Sequence, residues 1–139
     1  MDLNELRSQI AGDVIAVSDC DYEEIRNELV WNELKPQRRP ALIVRVSSEQ
    51  DVVAAVRFAR KHRLNVAVRG GGHNWVGFAL RDGSLLIDLG RLKDIRLNAD
   101  RSLVVQPAAT GREVNAKLAS QGLAFPVGHC PTVPLTASS

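Results

Sequence analysis

Cysteine is scarce in this chain, with two among 139 residues. Cys20 and Cys130 are too few and too far apart for a disulfide framework or a zinc site, so no metal is expected and each is explained singly. Aromatic residues make up only 4%. The one dense basic run, Arg57 with Arg60-Lys61-His62-Arg63, has no basic stripe or aromatic interleaving beyond it. That argues against a nucleic-acid partner, and at the end of a predicted helix such cations complement the helix dipole. No stretch approaches the roughly 18 apolar residues of a membrane helix, so no membrane partner is expected. The opening Met1-Asp2-Leu3-Asn4-Glu5 carries acids where a secretory signal needs a basic patch and an apolar run, which predicts a cytoplasmic protein. There is no internal repeat and no low-complexity linker. The length and the modest net charge of +2 fit one globular domain over residues 1–139.

What is present is an alternation of strand and helix signals. Ala41-Leu42-Ile43-Val44-Arg45-Val46 is a β-branched apolar run that reads as a buried strand. Ser47 or Ser48 can cap a helix over 49–62, with Gln50 or Asp51 completing a capping box. Val52, Val53, Val56, Ala59 and Leu64 form its expected apolar face. Asn65-Val66-Ala67-Val68 follows as a second strand, so residues 41–68 predict a β-α-β unit whose strands are parallel and adjacent. Short strands are expected at 84–89, 95–97 and 102–106, separated by the turn signals Asp82-Gly83 and Asn98-Ala99-Asp100. Thr110 and Glu113 then form a capping box for a helix from 112 to about 120, with Val114, Leu118 and Ala119 as its apolar stripe. In the first forty residues, helices over 3–10 and 22–33 fit the spacing, with Asp21 a candidate cap. The fold class is α+β: an N-terminal β-α-β unit followed by short strands and a helix.

Chemistry concentrates where the second strand of that unit ends, in Arg69-Gly70-Gly71-Gly72-His73-Asn74. Ligands of α/β units sit beyond the carboxyl ends of strands. Three glycines allow positive φ and remove side chains, so backbone N–H groups can converge on an anion such as a pyrophosphate; the plainer reading is a tight turn. The loop lacks the Gly-Lys-Ser/Thr ending of a P-loop and the x-x-G continuation of a Rossmann turn. A histidine directly after an anion-binding loop lies beside the ligand, and neutral imidazole is a nucleophile.

The run Arg69-Gly70-Gly71-Gly72-His73-Asn74, then Gly77-Phe78-Ala79, then Leu86-Ile87-Asp88-Leu89, resembles the flavin-binding domain of the vanillyl-alcohol oxidase superfamily, specifically its berberine-bridge-enzyme-like branch. The resemblance implies a PCMH-type FAD-binding fold, an FAD cofactor held by the loop's backbone amides, and a covalent bond from His73 to the 8α-methyl carbon of the flavin. Gly128-His129-Cys130-Pro131-Thr132-Val133 is similar to the segment of family members whose cysteine bonds to flavin C6. Cys130 therefore stands as a second anchor, with a small buried hydrophobe as the bland alternative. The cofactor-binding set so implied is Arg69, Gly70, Gly71, Gly72, His73, Asn74, Gly77, Phe78, Cys130, Pro131, Thr132 and Val133. Cys20 and His62 have no such context and read as structural or exposed. His129 either lowers the pKa of the adjacent Cys130 or has no role.

After Val133 the family continues with a glycine-rich segment, whereas this sequence reads Pro134-Leu135-Thr136-Ala137-Ser138-Ser139. The domain is thus expected to be truncated relative to the family, without a substrate domain or a catalytic base. The resemblance implies hydride transfer to flavin N5 in a full-length enzyme. Two alternatives stand beside it. One is a cofactor-free fragment that forms a homodimer or is completed by a partner chain, and the other a plain phosphate-binding module that uses only the glycine loop.

Overall fold

The computed structural model describes residues 1–135. The elements in chain order are α1 (Leu3–Gln9), β1 (Asp13–Ala16), α2 (Tyr22–Glu28), β2 (Leu42–Arg45), α3 (Glu49–Lys61), β3 (Val66–Arg69), β4 (Leu85–Asp88), β5 (Ile95–Leu97), β6 (Leu103–Val105) and α4 (Gly111–Ala119). The α+β class and the β-α-β start follow the sequence expectation. β1 was not expected, and α2 is shorter than the predicted 22–33 helix.

The main sheet has the order β1-β2-β4-β3. β1 runs antiparallel to β2, while β2 and β3 each run parallel to β4. The expectation that β2 and β3 are neighbours is therefore corrected: they are parallel, but β4 lies between them. The physical reason is burial. Residues of a parallel strand at the centre of a sheet are covered on both faces, and Leu85, Leu86, Ile87 and Asp88 are all buried. β3 leaves Val66 and Val68 exposed, which an edge position tolerates.

Alternation along the two inner strands divides the core. Leu42, Val44, Leu85 and Ile87 point to one face and pack with Leu6, Ala55, Phe58 and Ala59 of α1 and α3. Ile43 and Leu86 point to the other and pack with Tyr22, Leu29 and Val30. A third cluster joins the β5-β6 hairpin to Val114 and Leu118 of α4.

The predicted apolar face of α3 is partly wrong. Val53 and Val56 are exposed, and the buried stripe is Asp51, Ala55, Phe58 and Ala59. Asp51 is inside because its carboxylate accepts backbone N–H groups of Ala11 (2.9 Å), Gly12 (3.1 Å) and Ser47 (2.8 Å), tying three segments together. Ser48 is the N-cap, accepting from Asp51 N–H at 3.2 Å. At α4 the predicted capping box forms in full between Thr110 and Glu113, although Ala119 lies on the exposed side. Asp21 precedes α2 but makes no side-chain cap.

Candidate flavin-binding site

The glycine loop leaves β3 at Arg69, the residue in register with Asp88 on β4, which is in turn in register with Arg45 on β2. This row places a buried carboxylate between two arginines at the carboxyl ends of three parallel strands. Arg69 Nη1 donates to Asp88 Oδ1 at 2.8 Å, and Arg45 Nε lies 3.7 Å from Oδ2. Arg69 also donates through Nε to the Leu29 carbonyl at 3.1 Å and through Nη2 to the Gly71 carbonyl at 3.5 Å. Its charge is spent inside the chain, so Arg69 fixes the base of the loop. Asp88 accepts from Gly90 N–H at 3.1 Å as well.

Two of the three glycines are required by their surroundings. Gly72 has φ +69°, a region costly for other residues, and a Cβ there would lie 2.5 Å from the Leu29 carbonyl oxygen. At Gly71 a Cβ would lie 2.5 Å from Pro134 Cγ. The loop is thus packed on one side by the chain after α2 and on the other by the segment that carries Cys130.

The segment after α2 grips the loop's exit. Trp31 Nε1 donates to the His73 carbonyl (3.1 Å), Asn32 Nδ2 to the Trp75 carbonyl (2.7 Å), and Arg38 Nη2 to the carbonyls of Val76 and Gly77. The Asn74 carbonyl accepts from Gly77 N–H at 3.1 Å. Asn74 Oδ1 accepts from the N–H groups of Val76 (3.1 Å) and Phe78 (3.3 Å), closing the turn. Every carbonyl from residue 73 to 77 is thereby occupied. The backbone N–H groups of residues 70–75, by contrast, have no acceptor among the described residues. Free N–H groups beside glycines form an anion-binding concavity. That donor set fits a pyrophosphate.

His73 is partly buried, with its ring stacked on Trp31 at 6.2 Å and an interplanar angle of 24°. Trp31 meets Trp75 edge-on at 6.0 Å. Gly77, at φ +58°, packs against Val30 and Pro36, while Phe78 is exposed.

Cys130 is exposed, which overturns its reading as a buried hydrophobe. Its Sγ lies 3.3 Å from Thr132 Oγ1. Hydrogen bonding from the Thr132 hydroxyl, then from its backbone N–H, holds the thiol below its usual pKa, with the Arg112 charge assisting. The segment is anchored to the start of α4: Arg112 N–H donates to the Pro131 carbonyl (2.8 Å), and Pro134 bridges to Thr110. Val133 N–H donates to the Cys130 carbonyl at 3.3 Å, turning the chain at the thiol. Cys20 is exposed and the His62 ring packs against Phe58 at 4.3 Å, tilted by 48°, both outside the contacts of this region.

Trp31, Asn32, Arg38 and Arg45 were not singled out from the sequence, and Asp88 entered only as part of the Leu86-Ile87-Asp88-Leu89 run, without a role of its own. For Asp88 the signal was an acid ending an apolar strand; for Trp31 and Asn32 no local pattern marks a partner more than forty residues away. Among the described residues no cluster of three or more His, Cys, Asp or Glu could hold a metal, and no helix is long and apolar enough to cross a membrane.

A sheet whose central strand ends beneath a glycine loop rich in free N–H groups defines a protein that binds a phosphate-bearing cofactor. Residues 40–136 match the family model described as FAD binding domain, and the chain belongs to that family. It is 33% identical over 131 residues to an uncharacterized FAD-linked oxidoreductase, YgaK, of Bacillus subtilis, a match covering 94% of this chain and 28% of that protein. The structure is similar to that of 6-hydroxy-D-nicotine oxidase from Arthrobacter nicotinovorans, with TM-score 0.77 and 32% identity, over 91% of this chain and 27% of that one. It is also similar to a variant of Physcomitrella patens BBE-like 1, with TM-score 0.82 and 26% identity, over 99% of this chain and 30% of that one. The chain spans little more than a quarter of the length of these relatives. The chain is an FAD-binding domain of the FAD-linked oxidoreductases, as the resemblance to the vanillyl-alcohol oxidase superfamily implies.

Proposed function

We propose that this chain holds FAD covalently, with the N–H groups of residues 70–75 on the pyrophosphate, His73 bonded to the 8α carbon and Cys130 to C6. The observation that carries the reading is the packing of Gly71 against Pro134, which sets the loop bearing His73 beside the segment bearing Cys130. Each bond replaces a C–H of the flavin and an N–H or S–H of the protein. The two protons and two electrons released pass to dioxygen, giving hydrogen peroxide. The lowered pKa of Cys130 supports the second bond, because a thiolate is the reactive form. Asn74 and Gly77 shape the loop, Phe78 follows at its exposed exit, and the Pro131-Thr132-Val133 turn presents Cys130.

Bound FAD supplies a two-electron acceptor at N5, so the activity of the whole protein is that of an FAD-linked oxidoreductase of the berberine-bridge-like branch. The protein's part in that chemistry is to orient the cofactor through two anchors on rigid elements. Reconstitution of the chain with FAD followed by acid denaturation tests the reading. One FAD mass, less two hydrogens for each bond, should remain; His73→Ala and Cys130→Ala should each remove one bond, and colourless denatured protein from all three would overturn it.

A second reading is favoured by the exposed Val66 and Val68 on edge strand β3, beside exposed Phe78. An unpaired apolar edge invites strand pairing, so a cofactor-free form would self-associate. Light scattering on the apo-protein and the FAD-treated protein separates the two: a flavin-loaded monomer excludes this reading.

A further inference from the structure

We propose that Trp31 is a positioning residue for His73, presenting the imidazole for attachment to the flavin. The inference rests on the covalent role of His73 and concerns how that histidine is held.

Three observations converge on it. The indole stacks on the His73 ring, 6.2 Å between centroids at 24°, which restricts rotation of the imidazole about its side-chain bonds. The same indole donates Nε1–H to the His73 carbonyl at 3.1 Å, which fixes the peptide that carries the ring. Asn32, the next residue, holds the Trp75 carbonyl at 2.7 Å, so the His73–Asn74 and Trp75–Val76 peptides are tied to one short segment. Trp31 itself is steadied by the edge of Trp75 at 6.0 Å.

The grip also polarises the loop. With the His73 carbonyl taken by Trp31, the His73–Asn74 peptide is turned so that its N–H, that of Asn74, faces away from the indole and stays free for an anion. Holding a nucleophile in a near-attack geometry is worth orders of magnitude in rate, and a displacement of about 1 Å can cost about 100-fold. The bond concerned joins an imidazole nitrogen of His73 to the 8α carbon. The methyl C–H and imidazole N–H hydrogens leave, with their electrons, to dioxygen as hydrogen peroxide. Trp31 takes no part in those transfers. Its effect is on the orientation of the attacking nitrogen.

The test uses the 139-residue chain carrying Cys130→Ala, so that only the His73 bond is read. Apo-protein is mixed with FAD in air, and acid-resistant flavin is followed in time, alongside the affinity for FAD measured before attachment. Trp31→Leu should slow attachment by about 10- to 100-fold while changing affinity far less. Trp31→Phe, which keeps the stack and loses the N–H, should attach flavin at a rate between those of Trp31→Leu and the parent, and circular dichroism should show both variants folded. Equal attachment rates in Trp31→Leu and the parent overturn the proposal and leave the role of His73 standing. A rate loss in Trp31→Leu that Trp31→Phe does not recover even in part, or one matched by the loss of affinity, also overturns it. No acid-resistant flavin in the parent overturns the role of His73 itself.

Discussion

Gly71 packs against the ring of Pro134, so closely that a Cβ on Gly71 would lie 2.5 Å from Cγ and 2.7 Å from Cδ. Sixty-odd residues separate the two in sequence, yet this contact sets the His73 loop and the Cys130 segment side by side. A proline ring cannot rotate away as a long side chain can. Gly71→Ala should therefore displace one segment from the other, destabilise the chain by about 1–3 kcal/mol as overpacked sites do, and weaken FAD binding. Urea unfolding and FAD titration measure the two effects; an alanine that binds FAD as well as the parent would show the contact to be dispensable.

Gly72 and Gly83 share a positive φ, +69° and +66°, but only Gly72 is crowded, since nothing lies within 4 Å of a Cβ at Gly83. Gly83→Ala should cost the backbone penalty alone, about 1–2 kcal/mol. Gly72→Ala should cost clearly more, because its methyl meets the Leu29 carbonyl and the Arg69 guanidinium. Comparing the two by denaturant unfolding separates strain from steric exclusion.

Asp88→Asn should be among the most damaging polar substitutions. It leaves the partly buried Arg69 guanidinium without its carboxylate, and breaking such a pair costs about 3–5 kcal/mol. Differential unfolding of Asp88→Asn against an Arg7→Gln control, whose ion pair with Asp19 is partly exposed, should show a large loss in the first and little in the second.

For Asp51, burial pushes the carboxyl pKa up, but N–H donation from Ser47, Ala11 and Gly12 and the Ser48 hydroxyl outweighs it and holds the value below the usual 3.8. A depressed folded-state value stabilises the fold above the unfolded-state pKa, and that contribution is lost as pH falls through the folded-state value. The stability difference between the parent and Asp51→Asn should therefore be flat near neutrality and shrink on acidification below about pH 4. Unfolding curves across that window decide it, and a difference that grew with acid would contradict the assignment.

Thr132→Val should raise the Cys130 thiol pKa, since the hydroxyl that stabilises the thiolate is removed. The pH midpoint of alkylation at Cys130, read by peptide mass mapping, should move upward. Cys20, equally exposed, serves as an internal control whose alkylation should not change.

The sequence by itself determined the elements and the chemistry-bearing residues that announce themselves locally. The Thr110–Glu113 capping box was legible because its partners are three residues apart and form the same hydrogen bonds in any helix of that start. The apolar runs of β2 and β4 were legible because strands buried on both faces favour apolar side chains, broken here only at their ends by the paired Arg45 and Asp88. Gly70 to His73 stood out because few backbones other than a turn or an anion cradle use three glycines together. Tertiary structure alone decided that β4 enters between β2 and β3, since both orders satisfy the same periodicity and only the shared burial of Leu85 to Asp88 selects one. It alone exposed Val53 and Val56, because the α3 stripe is rotated by Asp51 seeking backbone donors from β1's approach. The grip of Trp31 and Asn32 on the loop, and the meeting of Gly71 with Pro134, likewise belong to the fold: they join residues far apart in the chain, where hydrogen-bond and packing partners leave no periodic trace.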